Sequence, residues 1–188
     1  RRQQETAPGA ARVPPEALAR LSAELEGFAG ALLPSERQLT QMSEFLRAME
    51  QRLQSAMDGV KVLPFGSAVN GFWTAQSDVD VCVQAPRAST RASQVKVLRE
   101  ISTQLGKVEQ YTMEPRFGAQ VPILHWAPRR PGMVSCDISV NNIVAVVNSR
   151  LLGEYVRVDP RMRTLGFCIK AWARTRGIND RSRGTLSS

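Results

Sequence analysis

The chain is short of cysteine, lysine and long apolar runs, and each shortage closes off a class of function. Its 188 residues hold three cysteines, Cys82, Cys136 and Cys168, far apart and with no CxxC pair. That spacing indicates neither a zinc knuckle nor a disulfide framework and fits a reducing, intracellular compartment. No apolar run approaches the ~18–20 residues of a membrane span, so a transmembrane protein is excluded. The first residues lack the apolar segment of a secretory signal, and no internal repeat is visible. What is present is ordinary for a globular protein: 43% hydrophobic and 22% charged residues, enough for a core and for one domain or one and a half. The charge is not ordinary. Of 25 basic residues only 4 are Lys, and the formal charge of +8 lies wholly in residues 95–188, with 15 basic against 7 acidic side chains. Arg grips phosphate through paired N–H bonds, so this half points to a polyanionic partner: RNA, DNA, a nucleotide or an anionic membrane. A GC-biased coding sequence accounts for the same preference equally well.

Along the chain, Arg1–Pro15 reads as a disordered lead-in. It begins without Met, so the chain reads as cut from a longer one, and a remnant of an Arg-rich transit peptide stays open. Helical spacing of Leu18, Leu21 and Leu25 predicts a helix from Glu16 to about Gly27. Ser35 followed by Gln38 is a capping-box pattern, opening a second helix with the stripe Leu39, Met42, Phe45, Leu46, Met49, Leu53 and Met57. From Val60 the period shortens: strands are expected at Val60–Phe65, Val79–Val83, Val108–Met113, Val121–Trp126 and Val134–Val140, with one helix at Ser89–Leu105. Helices return at Asn142–Val156 and Pro160–Arg176, with Pro160 suited to a first helical position. The expected fold class is α+β, a mixed sheet with flanking helices. The division is 1–15 lead-in, 16–58 N-terminal helices, 59–142 catalytic domain and 143–188 the start of a helical domain.

Three pieces carry chemistry. Phe65-Gly66-Ser67 ends a predicted strand, and a Gly-Ser pair there lets the backbone turn and offer N–H groups and a hydroxyl to an anion. Taken alone it is more often just a turn. Asp78 and Asp80 are two apart on a strand and project to one side, while Val79 and Val81 enter the core. Like charges so close raise one another's pKa unless a cation lies between them, and hard oxygen ligands of this kind suit Mg²⁺. Alone, such a pair reads as two surface acids on a solvated edge strand. Asp137 sits inside the apolar run Val134–Val140, where an unpaired carboxylate is costly. Its partner is either a metal shared with Asp78 and Asp80 or one of the many arginines.

Together these pieces resemble the nucleotidyltransferase superfamily: a Gly-Ser turn, an Asp-x-Asp on the next strand, a third Asp on a later one. The likeness sharpens with Phe65-Gly-Ser-Ala-Val-Asn-Gly71, Ser77-Asp-Val-Asp80, Cys136-Asp-Ile-Ser-Val-Asn-Asn142, Lys170-Ala-Trp-Ala-Arg174 and Gly184-Thr-Leu-Ser-Ser188. These resemble the terminal uridylyltransferases and non-canonical poly(A) polymerases from about residue 60 onward. The resemblance implies that Gly66 and Ser67 hold a nucleotide triphosphate and that Asp78, Asp80 and Asp137 are the catalytic carboxylates binding two Mg²⁺ (or Mn²⁺) ions. It implies that Asn148 contacts the ribose with help from Ser149, and that Lys170 and Arg174 reach the triphosphate from one helix face. Arg174 stands where the family commonly has Lys, and Ser188 matches a serine near triphosphate and base. The family's base-stacking Tyr and the rest of its helical domain would follow Ser188. The implied activity is template-independent addition of nucleotides to an RNA 3′ end, UMP from UTP or else AMP from ATP. The implied setting is intracellular, cytoplasmic in preference to mitochondrial, away from membranes and with protein partners in an RNA-processing complex.

A catalytically silent RNA-binding scaffold of the same fold is the alternative from another class. Such scaffolds usually lose a carboxylate, and all three are kept here. A small-molecule nucleotidyltransferase shares the first two motifs, but the Lys170 helix and Gly184–Ser188 count against it. Apart from the resemblance, Trp172 reads as core packing and Lys170 and Arg174 as a solvated face. Trp73 and Trp126 read as buried aromatics, and the sole histidine, His125, as packed or edge-exposed rather than catalytic. Arg157, Arg161, Arg163, Arg174, Arg176, Arg181 and Arg183 either track an RNA backbone or coat exposed helices.

Overall fold

The computed structural model describes residues 13–180 and 184–185; the expectations for residues 1–12, Arg181, Arg183 and Ser188 lie outside the described residues. Two helices lead, α1 (Pro15–Leu32) and α2 (Glu36–Gln54). α1 starts at Pro15, inside the expected lead-in, and runs five residues past Gly27, because neither Gly27 nor Gly30 is enough to break it before Pro34. Leu18 and Leu21 stay exposed on it, and its partner is a helix from the far end of the chain. α2 opens as its sequence predicts: Ser35 Oγ accepts from Gln38 N–H, and the Gln38 side chain accepts from Ser35 N–H at 2.8 Å. Its stripe buries Met42, Met49 and Leu53 and packs Phe45, Leu46 and Met57 against the core, while Leu39 remains exposed.

The sheet follows: β1 (Lys61–Phe65), a single helical turn α3 (Ser67–Asn70), β2 (Val79–Gln84), α4 (Arg91–Leu105), β3 (Tyr111–Arg116), β4 (Ile123–Pro128) and β5 (Cys136–Val140). The third to fifth strands begin two or three residues later than the apolar runs suggest, since Val108, Val121 and Val134 lie in the approaches to them. The strand order is β1-β2-β5-β4-β3, with β2 and β5 parallel and every other pair antiparallel. This is a mixed five-stranded sheet with flanking helices, the α+β class expected. α4 is capped by Thr90 with Ser93 in a second capping box, and it lies on the long connection from β2 to β5.

Side chains alternate across the sheet. One face presents Val79, Val81, Val83, Leu124, Trp126 and Ile138, all buried, to α2 and α4, and this is the core. Trp73 and Trp126 are buried as expected, and Trp126 stacks on Tyr111 with ring centroids 4.2 Å apart. Two further helices close the chain, α5 (Ile143–Val158) and α6 (Arg161–Thr175). Pro160 is the residue that caps α6, one place before the position expected for it. α5 packs on β1, β2 and α3, and α6 packs on α1. Trp172, expected in the core, is 54% exposed, because α6 buries Phe167, roughly 140° around the helix from it. All three cysteines are free thiols.

Candidate active site

The strand registers bring the charged residues into line. Asp80 pairs with Asp137 across the parallel β2–β5 ladder, Asp137 with His125 across β5–β4, and His125 with Glu114 across β4–β3. Directly paired residues share a face, so four titratable side chains form one row on the face opposite the core. Asp78 stands just before β2 and is exposed. The Ser135 hydroxyl donates to it, and Val79 N–H donates to Ser135 C=O at 2.9 Å, which ties the starts of β2 and β5 together.

Among the described residues, Asp137 pairs with no arginine. Its Oδ1 lies 2.6 Å from His125 Nδ1, with side-chain exposures of 24% and 15%, so the sequence reading of His125 as merely packed understates its place. The signal was faint: one histidine in an alternating strand reveals its neighbour only once the register is known. Asp78, His125 and Asp137 each offer a donor atom, and the three atoms lie within 4.8 Å of one another. Asp80 is pushed up to about 6, first by burial, then by the negative charges of Asp137 and Asp78, with Lys170 pulling the other way. Carboxylates crowded at this cost, with a nitrogen donor beside them, fit a divalent cation, which would relieve the repulsion and take hard oxygen ligands.

Gly66 ends β1 with φ +65°, a conformation that favours glycine. A Cβ there would overlap Asp80 Oδ2, so the bare Cα also makes room for the carboxylate. Ser67 then opens α3, in which Val69 and Asn70 N–H both donate to Gly66 C=O, at 3.2 and 3.1 Å. Gly66 N–H itself is engaged, donating to Ser149 Oγ at 2.7 Å, and that hydroxyl donates to Ala145 C=O at 2.7 Å. Ser149 is therefore buried as a brace between α5 and the Gly66 turn, while its neighbour Asn148 is exposed on α5. Lys170 and Arg174 are exposed on α6, and Lys170 draws the Asp80 pKa down through its attraction. Of the other arginines, Arg157 pairs with Glu154 and Arg161 with Asp159 on the surface.

The comparisons with known proteins agree with this geometry. The family model described as "Poly(A) RNA polymerase, mitochondrial-like, central palm domain" matches residues 21–157. The poly(A) RNA polymerase GLD2 of Danio rerio is 36% identical over 143 residues, covering 75% of this chain and 29% of that protein. Terminal uridylyltransferase 7 of Homo sapiens is 35% identical over 143 residues, covering 74% of this chain and 10% of its own. Among solved structures, the GLD-2/RNP-8 complex matches with a TM-score of 0.80 at 25% identity, over 87% of this chain and 51% of that one. Cid1 in complex with the UTP analog UMPNPP shares the fold, with a TM-score of 0.76 at 21% identity over 90% and 51% of the two chains. The chain spans less than a third of the length of these curated relatives. No helix among the described residues is long and apolar enough to cross a membrane.

Proposed function

The chain belongs to the non-canonical poly(A) polymerase and terminal uridylyltransferase family, and on that premise we propose that it adds nucleotides to RNA 3′ ends without a template, using UTP. One observation carries the reading: Asp80 and Asp137 pair directly across two parallel strands, beside Asp78 and the Gly66 turn. Asp78, Asp80 and Asp137 would hold two Mg²⁺ or Mn²⁺ ions. When bound, such a pair supplies Lewis-acid activation of the RNA 3′ hydroxyl and charge neutralisation on the departing pyrophosphate.

The chain's own residues do the positioning. Gly66 and Ser67 seat the triphosphate, with Ser149 holding the turn rigid from behind. Lys170 and Arg174, one helical turn apart on α6, offset negative charge building on the β- and γ-phosphates. Asn148 orients the ribose from α5. A protein partner comparable to the one in the GLD-2/RNP-8 complex is compatible with this arrangement.

ATP is the second reading, favoured by the GLD2 relatives and by the poly(A) family model, against UTP from the likeness to terminal uridylyltransferase 7. Extension of a short RNA with UTP alone or ATP alone distinguishes them: longer products with UTP support the uridylate reading, and products with ATP alone overturn it. Asp137→Ala should lower extension with either nucleotide by about a thousandfold or more. Near wild-type extension by that variant would remove the mechanism.

A further inference from the structure

The charged row does not end at the third carboxylate. Across β5–β4 it continues into His125, paired in register with Asp137 and largely withdrawn from solvent, so the ring cannot swing away without leaving its packing. Nδ1 faces Asp137 Oδ1 at 2.6 Å and lies with donor atoms of Asp137 and Asp78 inside a 4.8 Å triangle. Asp80, meanwhile, leans the other way, over the Cα of Gly66. On the far side, across β3–β4, His125 pairs in register with Glu114, whose carboxylate is held by the Arg116 guanidinium.

We propose that His125 is a further ligand of this site: its Nδ1 joins the carboxylates of Asp78 and Asp137 in a mixed nitrogen–oxygen donor set. The proposal rests on the reading that these carboxylates hold divalent ions. It assigns a consequence that an all-carboxylate site would not have. Imidazole suits first-row transition ions better than Mg²⁺, so the position between Asp78, His125 and Asp137 discriminates between divalent cations.

The chain holds a single histidine, which makes the test unusually clean. Tag-free protein is loaded with Mn²⁺ and tripolyphosphate, a nitrogen-free stand-in for the nucleotide, and read by pulsed electron paramagnetic resonance. The expected spectrum contains a directly coordinated imidazole ¹⁴N, which changes to ¹⁵N when histidine alone is labelled and needs no substitution. His125→Asn keeps an amide near the position of Nδ1 but ligates through oxygen. It should lose the nitrogen signal, still bind Mn²⁺, and show a Mn²⁺-over-Mg²⁺ affinity ratio lower by about tenfold. Mn²⁺ that binds, is released by Asp137→Asn, and shows no histidine coupling overturns the ligand assignment while leaving the nucleotidyl-transfer reading in place. Failure of wild-type protein to bind Mn²⁺ at all overturns both.

Discussion

On the face toward α2 and α4, Val79, Val81, Val83, Leu124 and Ile138 are wholly withdrawn from water. On the other face of the same strands, one residue along, stand Asp80, Asp137 and His125. The first face lowers the free energy of the fold by removing apolar area from water and by close packing. The second raises it, since Asp80 is half-buried beside two other acids and its pKa is pushed up to about 6 in consequence. A period of two residues is all that separates the stabilising surface from the reactive one. The teaching is that each strand of this sheet serves both ends at once, and the apolar face offsets the electrostatic strain of the other.

Substitutions on the two faces should therefore change stability in opposite directions. The largest effect is expected on the core side. Ile138→Ala, next to Asp137 but facing the other way, should lower unfolding free energy by about 2–5 kcal/mol, read from urea denaturation. A smaller loss would mean that the core collapses around the gap and that β5 is held mainly by its ladders. On the acidic side the sign reverses. With divalent ions chelated, Asp80→Asn should raise stability at pH 7.5 by about 2–3 kcal/mol. The folded carboxyl titrates near 6 against an ordinary value of 3.8, so the folded state holds the proton more tightly. Its contribution is fully present below about pH 4 and is lost as pH rises through about 6. The gap between variant and wild type should close as the pH is lowered to 4, and a gap that widens instead would show that the acidic face is not strained. The smallest effect belongs to the brace. Ser149→Ala leaves Gly66 N–H without its acceptor and should cost about 1 kcal/mol, with a raised KM for the nucleotide as the turn loosens. An unchanged KM would confine Ser149 to the scaffold.

The sheet face of the carboxylates was legible from alternation alone: Asp78, Val79, Asp80 and Val81 declare which side is apolar. The α2 start was legible because a capping box is a local signal, complete within four residues. Register was not. Whether Asp137 meets Asp80, and whether His125 meets Asp137, depends on which strands are neighbours, and β2 and β5 are joined only through more than fifty intervening residues. For the same reason the sequence is silent on the bond that Gly66 N–H makes to the Ser149 hydroxyl, across 83 positions. Trp172 misleads: a large apolar residue at helical spacing looks internal until the helix is seen to present that flank outward.

The place of β5 in the strand order has a consequence for how the protein comes into being. β1 with β2, and β3 with β4, each form an antiparallel pair from near neighbours in the chain, whereas β5 slots between the pairs after both have been synthesised. Until that insertion no strand ladder joins the two ribbons, and the residue that completes the charged row arrives on the joining piece. A ribosome-bound fragment ending before Cys136 would thus lack the third carboxylate, and the charged row would form only when β5 inserts.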